Sequence, residues 1–169
     1  MKDLYVSWDE YNRLIEKLVL KVYDSGWSFD AIVCLARGGL RVGDVFSRMY
    51  EKPLGVLFTS SYRESEGMHR SRLVISEHMS SAGPLPPGKW LLVDDLVDSG
   101  ATLTEVVPLI RARYPGVSEL RSAVIWRKGV SVAEPDYWIE YLPSNPWIHQ
   151  PFEEYDHMRP SDLKARYGA

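Results

Sequence analysis

The chain has 169 residues, and a chain of about 150 residues already buries roughly 70% of the surface that it exposes when unfolded. Apolar residues make up 45% of it and charged residues 25%, which excludes a mainly disordered chain. The net charge of −3 provides no general basic surface, so we expect no nucleic-acid partner.

Neither a disulfide nor a membrane anchor is indicated by the sequence. Cys34 is the single cysteine, and the amino-terminal MKDLYVSWDEY lacks the apolar core of a signal peptide. The apolar run at 31–36 is far shorter than the roughly 20 residues of a membrane helix. We therefore expect a cytoplasmic protein with no membrane partner. Because Cys34 lies within that apolar run, we expect it to pack rather than to act as a nucleophile.

The first predicted element is an amphipathic helix. Ser7 followed three residues later by Glu10 is the pattern of a capping box. Apolar residues then recur at helical spacing, at Tyr11, Leu14, Ile15, Leu18, Val19 and Val22. Gly26 is a plausible end of this helix.

A strand, a glycine turn and a second helix follow. DAIVCLA, at 30–36, predicts a buried strand that runs into the turn RGGLRVG. After the turn, the apolar residues Val42, Val45, Phe46 and Met49 predict one face of a helix that ends before Pro53.

The rest of the chain continues the alternation of strands and helices. Strands are predicted at 54–61, 72–78, 90–95, 119–126 and 136–142, and a short last helix at 161–168. Between the first two of these strands, the polar stretch 62–70 predicts a mobile loop. A helix is predicted from Thr102 to about Tyr114, with a kink at Pro108, which lacks a backbone donor.

This alternation predicts an α/β fold with a mostly parallel central sheet covered by helices on both faces. Such sheets bind ligands beyond the carboxyl ends of their strands. The segments RGG and DDLVDSGAT both fall at predicted carboxyl ends. We therefore expect these two loops to border one crevice.

The stretch LLVDDLVDSGATL, at 91–103, combines an anion-binding loop with carboxylates. Backbone amides of the small residues Ser99–Thr102 at a helix N-terminus suit a phosphate, and Gly100 allows close approach. Asp94 and Asp95 suit the hydroxyls of a sugar, with Asp98 between the two groups. The alternative is a surface turn followed by a helix that an Asp or Ser caps.

The same thirteen residues resemble the signature of the type I phosphoribosyltransferases. The resemblance implies that Ser99, Gly100, Ala101 and Thr102 bind the 5′-phosphate of phosphoribosyl pyrophosphate. It also implies that Asp94 and Asp95 lie by the ribose hydroxyls, close to a Mg²⁺ cofactor that they hold directly or indirectly. Asp98 is expected to act as general base or acid near N7 of the acceptor.

Four further segments resemble the 6-oxopurine branch of this family. Arg37, Gly38 and Gly39 resemble its pyrophosphate loop, and Ser61-Tyr62 resembles a pair on the flexible loop that closes over the reaction centre. Lys128 resembles the lysine that donates to the purine 6-oxo group, which an ammonium suits because it is a donor only. Trp147-Ile148 resembles the pair that stacks on the base.

The resemblance implies one domain, 1–169, with a core at roughly 27–142 and a small hood at roughly 143–169. The implied reaction moves the phosphoribosyl group to N9 of xanthine, guanine or hypoxanthine and releases pyrophosphate. Members of this family are commonly dimers or tetramers, so the resemblance implies a homodimer or homotetramer. Two alternatives stay open, a nucleotide-sensing regulator without catalysis and a transferase for a non-purine acceptor.

Overall fold

The computed structural model describes residues 3–62 and 72–168. The helices in this part of the chain are α1 (Trp8–Asp24), α2 (Leu40–Tyr50), α3 (Ala101–Arg113), α4 (Glu154–His157) and α5 (Pro160–Tyr167). The strands are β1 (Leu4–Tyr5), β2 (Ala31–Ala36), β3 (Leu54–Tyr62), β4 (Arg72–Ile75), β5 (Ser80–Ser81), β6 (Gly88–Val97), β7 (Val117–Lys128), β8 (Tyr137–Leu142) and β9 (Ile148–His149).

Seven of these strands form the central sheet, with the order β4-β3-β2-β6-β7-β8 and β5 beside β3. Strands β3, β2, β6, β7 and β8 are parallel to one another, whereas β4 and β5 pair antiparallel with β3. The predicted α/β fold with a mostly parallel sheet is confirmed. Strand β6 extends two residues beyond Asp95, farther than its sequence predicts.

Helix α1 forms as its sequence predicts. The Oγ of Ser7 accepts a hydrogen bond from the Glu10 amide at 3.2 Å, which caps the first turn. The buried face consists of the six apolar residues expected from the spacing. These side chains belong to the same hydrophobic core as β2 and β6, so the core extends to α1.

Helices cover both faces of the sheet, as predicted. Ile32 and Cys34 point to the face that α1 and α2 cover. Val33 alternates with them and packs with Val106 and Ile110 of α3 on the opposite face. Because both faces are covered, every residue of β2 is buried.

Helix α2 differs from its prediction at one position. Val42 and Phe46 are fully buried, but the side chain of Met49 is 61% exposed, so the expectation that Met49 belongs to the buried face is wrong. Tyr50 instead packs the end of the helix against the core. Its ring lies 5.8 Å from that of Phe46 and 4.8 Å from that of Phe29.

Helix α3 begins one residue before the predicted start and is continuous across Pro108. Its N-cap is Gly100, whose φ of +87° places it in the left-handed region that favours glycine. A Cβ at this position would also lie 2.6 Å from the backbone nitrogen of Ala133. Gly100 is therefore required both for its backbone conformation and for its space.

The carboxy-terminal segment returns to the beginning of the chain. Strand β9 pairs in parallel with β1, with Leu4 opposite Ile148 and Tyr5 opposite His149. Helices α4 and α5 follow. Within the described ranges, no helix is long and apolar enough to cross a membrane.

Candidate active site

A crevice lies where the neighbouring parallel strands β2, β6 and β7 reach their carboxyl ends, at Ala36, Val97 and Lys128. A cavity of about 550 Å³ occupies this edge, between the sheet and the carboxy-terminal segment. The residues predicted for the site that line it are Arg37, Gly38, Asp95, Asp98, Lys128, Trp147 and Ile148. The structure therefore brings together residues that come from four separate segments of the sequence.

Two smaller cavities continue from the first. One, of about 250 Å³, is lined by Arg37, Gly38, Asp94, Asp95 and Thr102, with Thr59 and Leu73 from the β3–β4 pair. The other, of about 210 Å³, is lined by residues of 94–103 that include Ser99, Gly100 and Thr102. Asp95 lines all three cavities. Together these cavities offer an extended ligand three adjoining compartments.

The two acids at the end of β6 lie in a partly buried environment. The Oδ1 of Asp94 accepts from the Asp95 amide at 2.9 Å, and the Oδ1 of Asp95 accepts from the Leu96 amide at 2.7 Å. Burial, and then the neighbouring Asp95 carboxylate, raise the pKa of Asp94 well above its ordinary value. Burial also raises the pKa of Asp95. Such a pair is best stabilised by a bound cation or by hydroxyl donors.

Asp95 lies where three parts of the protein meet. Its Oδ2 accepts a hydrogen bond of 2.5 Å from the Nε2 of Gln150, which directly follows β9. Its carboxylate also packs against the backbone of the loop after β2, because a Cβ placed on Gly38 would lie 2.7 Å from both carboxylate oxygens. The lack of a side chain at Gly38 thus allows this loop and the acid pair to be close together.

The loop from Ser99 to Thr102 leads into α3 without a side-chain cap. Gly100 is the N-cap and forms no capping side-chain bond. The Ser99 Oγ accepts from the Ala101 amide at a long distance of 3.4 Å. The alternative of a helix capped by Asp98 or Ser99 is therefore not what the chain forms. Because no side chain caps the helix at Gly100, the first amides of α3 are available to an anion.

Lys128, at the end of β7, contacts Asp98. Its Nζ lies 3.2 Å from the Asp98 Oδ1 and donates to the Asn145 Oδ1 at 2.8 Å. The lysine side chain is only 6% exposed, whereas that of Asp98 is 55% exposed. A buried ammonium that is held by two acceptors has a fixed direction, which suits recognition of a carbonyl oxygen.

The loop Arg37–Gly39 joins β2 to α2, and its first peptide bond, between Ala36 and Arg37, is cis. The Gly39 amide donates to the Leu35 carbonyl at 2.8 Å. A Cβ on Gly39 would lie 2.7 Å from the Val93 carbonyl oxygen, so Gly39 fits directly against β6. Arg37 is largely exposed, and its guanidinium pairs with Asp156 of α4 at 3.2 Å.

The wall of the large cavity opposite the sheet comes from β9 and the residues around it. Ile148 is buried, whereas Trp147 is 58% exposed and its Nε1 donates weakly to Glu153 at 3.4 Å. Arg41 of α2 also lines this cavity. Its guanidinium lies 4.5 Å from the ring centre of Phe152 and 5.2 Å from that of Trp8, as in cation–π contacts.

Some residues of the site are missed by sequence reasoning. Gln150, Arg41 and Asn145 were not among the predicted site residues, although each lines the cavity or holds a residue that does. Gln150 and Asn145 flank Trp147-Ile148, so proximity to that pair was a signal available in the sequence. Arg41 lies two residues after the RGG turn, in the first turn of α2, and its place in the cavity wall depends on the fold.

The pair Ser61-Tyr62 forms the end of β3, opposite Leu73 and Arg72 of β4. The predicted mobile loop at 62–70 lies, apart from Tyr62, outside the described residues. The nearest lining residues from this pair of strands are Thr59 and Leu73. The β3–β4 pair therefore emerges beside the cavity that Arg37 and the acid pair border.

Asp94 and Asp95 are the side chains that could hold a divalent cation. Within 3–62 and 72–168, no cluster of three or more metal-ligating side chains occurs. Both oxygens of Asp95 already accept hydrogen bonds. Mg²⁺ is commonly bound through one or two carboxylates, waters and substrate phosphates. The acid pair fits an ion of this kind, brought to the site with a phosphorylated ligand.

Comparison with known protein families is consistent with this geometry. The model of the phosphoribosyl transferase domain matches residues 7–157, which is most of the chain. The chain belongs to the phosphoribosyltransferase family. The resemblance of its sequence to this family is thereby confirmed, and the match includes all three cavities of the crevice.

Individual phosphoribosyltransferases match over nearly their full length. A xanthine-guanine phosphoribosyltransferase of Idiomarina loihiensis is 25% identical over 158 residues, which cover 92% of this chain and 90% of the relative. The structure of a purine phosphoribosyltransferase from Pyrococcus horikoshii is 27% identical, with a TM-score of 0.72 and coverage of 90% of this chain and 94% of that one.

A third relative supports the fold. The Helicobacter pylori xanthine-guanine-hypoxanthine phosphoribosyltransferase has a TM-score of 0.75 at 23% identity and covers 97% of this chain and 99% of its own. The Idiomarina and Pyrococcus relatives are named as a xanthine-guanine and a purine phosphoribosyltransferase, and the resemblance to the purine branch of the family is confirmed by the relatives of this kind.

Proposed function

We propose that this phosphoribosyltransferase moves the 5-phosphoribosyl group from phosphoribosyl pyrophosphate to N9 of a 6-oxopurine, namely xanthine, guanine or hypoxanthine. Pyrophosphate is the second product, and purine salvage is the resulting role. The observation that carries the proposal is the meeting of Lys128, Asp98 and Trp147 in one cavity that continues into the two smaller compartments.

The three compartments accommodate the three parts of the donor and acceptor. The amides and hydroxyls of Ser99–Thr102 bind the 5′-phosphate at the start of α3. The loop Arg37–Gly39 binds the pyrophosphate, for which Arg37 must exchange its exposed Asp156 partner. Because Asp94 and Asp95 lie between these two anion sites, they are placed to accept hydrogen bonds from the ribose hydroxyls.

The purine occupies the large cavity. The Lys128 ammonium donates to the 6-oxo group and disfavours a 6-amino group, which presents only donors there. Trp147 and Ile148 border the base, and stacking of this kind contributes about 1–3 kcal/mol in other base-binding proteins. Asp98 touches the lysine, so its carboxylate is close to the N7 side of a purine whose O6 meets Lys128.

The reaction breaks the bond between the anomeric carbon and pyrophosphate and forms a bond to N9. Positive charge develops on the ribose, and negative charge develops on the leaving pyrophosphate, where Arg37 stabilises it. Asp98 receives the proton that the purine loses, which contributes about 10²–10⁴-fold as general base catalysis usually does. A Mg²⁺ ion bound with the pyrophosphate would neutralise part of its charge, and Asp94 and Asp95 are the residues that would hold it.

Several features of the proposal rest on the resemblance to the family. The pair Ser61-Tyr62 closes over the reaction centre and excludes water from the activated sugar. The chain forms one domain, 1–169, in which the segment at roughly 143–169 is the hood. The enzyme is cytoplasmic and assembles as a homodimer or homotetramer.

A panel of bases tests the proposal. Purified protein is incubated with phosphoribosyl pyrophosphate, Mg²⁺ and xanthine, guanine, hypoxanthine, adenine, uracil or orotate, and nucleotide and pyrophosphate are quantified. We expect turnover with at least one 6-oxopurine and little with adenine. Turnover with uracil or orotate alone would show that the acceptor is a pyrimidine and not a purine. Tight nucleotide binding without turnover of any base would identify a sensor instead.

A further inference from the structure

Gln150 links the purine-binding wall to the acid pair at the end of β6. It follows β9 directly, two residues after Ile148, and lines the large cavity. Its side chain reaches across to β6, where its Nε2 donates to the Asp95 Oδ2 at 2.5 Å. Among the described residues, this is the side-chain hydrogen bond that joins the carboxy-terminal segment to the pair Asp94-Asp95.

The Gln150 amide is oriented so that its nitrogen faces the Asp95 carboxylate, and this orientation leaves the amide oxygen without a partner among the described residues. Gln150 is only 5% exposed, and its Oε1 is buried with no hydrogen-bond partner among the described residues. Rotation of the amide by half a turn would place this oxygen against the Asp95 carboxylate, where two acceptors repel each other. A buried polar atom that stays unpaired in a folded protein calls for an explanation, and the bond to Asp95 provides one.

Asp95 has little freedom once this bond is made. The Leu96 amide holds its Oδ1, Gln150 holds its Oδ2, and the backbone of Gly38 packs against both oxygens. Of these three contacts, only the one from Gln150 comes from a side chain. It is therefore the contact that a substitution can remove while the backbone of β6 and the loop after β2 stay in place.

We infer that Gln150 is a positioning residue that orients the Asp95 carboxylate for the sugar of phosphoribosyl pyrophosphate. This inference rests on the proposed function and adds a residue to it. Since Asp95 lines all three cavities, Gln150 connects the segment that binds the base to the compartment that binds the ribose. Its effect is on the affinity for the donor substrate and passes through Asp95.

The test measures binding of phosphoribosyl pyrophosphate with Mg²⁺ by calorimetry, together with steady-state kinetics. In Gln150→Leu, the side-chain N–H that orients Asp95 is lost at similar volume. We expect the dissociation constant for phosphoribosyl pyrophosphate to rise about 10- to 100-fold, because a misoriented Asp95 carboxylate loses a hydrogen bond to the ribose, and a bond to a charged group contributes about that much. The KM for the purine should change less than about threefold. Gln150→Met, which is unbranched, serves as a second variant if Gln150→Leu folds poorly.

A double-mutant cycle separates positioning from packing. Introduced into Asp95→Asn, the same Gln150 substitution should leave the dissociation constant within about twofold, because its effect on the donor requires the Asp95 carboxylate. Glu154→Gln is the control, since it breaks an exposed pair with Arg166 in the same segment at 3.8 Å. The Glu154→Gln variant should leave both the dissociation constant for phosphoribosyl pyrophosphate and the KM for the purine unchanged.

The outcomes distinguish the two proposals. The positioning role would be overturned if the Gln150 substitution lowered the affinity for phosphoribosyl pyrophosphate equally in the wild type and in Asp95→Asn. A rise confined to the KM for the purine would overturn it as well. Unchanged affinity in both Gln150 variants would do the same. If the wild-type protein transfers phosphoribosyl to no purine, the proposed function fails. The double-mutant cycle still tests the role of Gln150, because it measures binding of phosphoribosyl pyrophosphate and needs no turnover.

Discussion

The ammonium of Lys128 lies 3.2 Å from the carboxylate of Asp98, so the residue proposed to recognise the purine contacts the one proposed to move its proton. The two come from the ends of neighbouring strands β6 and β7. Their contact means that a purine held at O6 is at the same time held near the proton acceptor.

The substitution Asp98→Asn tests the proton transfer. An asparagine oxygen still accepts from Lys128, so the local geometry should persist while the general base is lost. We expect nucleotide formation to slow by about 10²–10⁴-fold, with the dissociation constant for phosphoribosyl pyrophosphate nearly unchanged by calorimetry. Turnover equal to that of the wild type would reject the assigned role of Asp98.

The substitution Lys128→Met tests the recognition of the 6-position. The ratio of kcat/KM for hypoxanthine to that for adenine should fall by about 10- to 100-fold, as expected when a hydrogen bond from a charged donor is lost. Lys164→Met, at an exposed position of α5, is the matched control. If the ratio is the same in both variants, Lys128 does not select the base.

The substitution Gly38→Ala tests the close approach of the loop after β2 to the acid pair. The added Cβ would lie 2.7 Å from both carboxylate oxygens of Asp95, so the loop or the carboxylate must move. At about 1–3 kcal/mol for such overpacking, we expect binding of phosphoribosyl pyrophosphate to weaken by about 5- to 150-fold. Gly83→Ala, where a Cβ meets nothing within 4 Å, should bind normally.

The substitution Asp94→Asn should stabilise the protein and impair its activity. Because burial and Asp95 raise the pKa of Asp94 in the folded state, the folded protein holds a proton that the unfolded chain has released. Stability is therefore lost as the pH rises from the ordinary aspartate pKa through the raised one. At neutral pH the asparagine removes this penalty, and we expect a gain of about 0.5–2 kcal/mol.

Thermal unfolding at several pH values measures this effect. The melting temperature of Asp94→Asn should exceed that of the wild type at pH 7, and the difference should vanish below the ordinary aspartate pKa, where both states are protonated. Nucleotide formation, measured in parallel, should fall. A melting temperature below that of the wild type at pH 7 would show that Asp94 stabilises the fold, contrary to its raised pKa.

The elements with strong local patterns were predictable from the sequence. Helix α1 has both a capping residue and a complete apolar face, and β2 is apolar throughout because both faces of the sheet are covered. The turn from strand to helix at 98–100 was predictable from its small polar residues, whereas its binding of a sugar phosphate stays a prediction. The exposed Met49 shows the limit of periodicity, since the spacing alone cannot tell that Tyr50 packs in its place.

The contacts that complete the crevice depend on residues far apart in the chain. Gln150 meets Asp95 only after the carboxy-terminal segment folds back over the sheet. Arg41 becomes part of the cavity wall only once α2 and the segment with Phe152 are packed together. No local sequence pattern encodes such pairs. Strands β1 and β9 have two residues each and are too short to produce a recognisable strand pattern.

The pairing of β1 with β9 ties the wall that contains Trp147 and Ile148 to the amino-terminal end of the chain. The Leu4 amide donates to the Trp147 carbonyl at 2.9 Å, and the Val6 amide donates to the His149 carbonyl at 3.0 Å. The proposed purine-binding wall is therefore held in place by backbone contacts with residues at the opposite end of the chain.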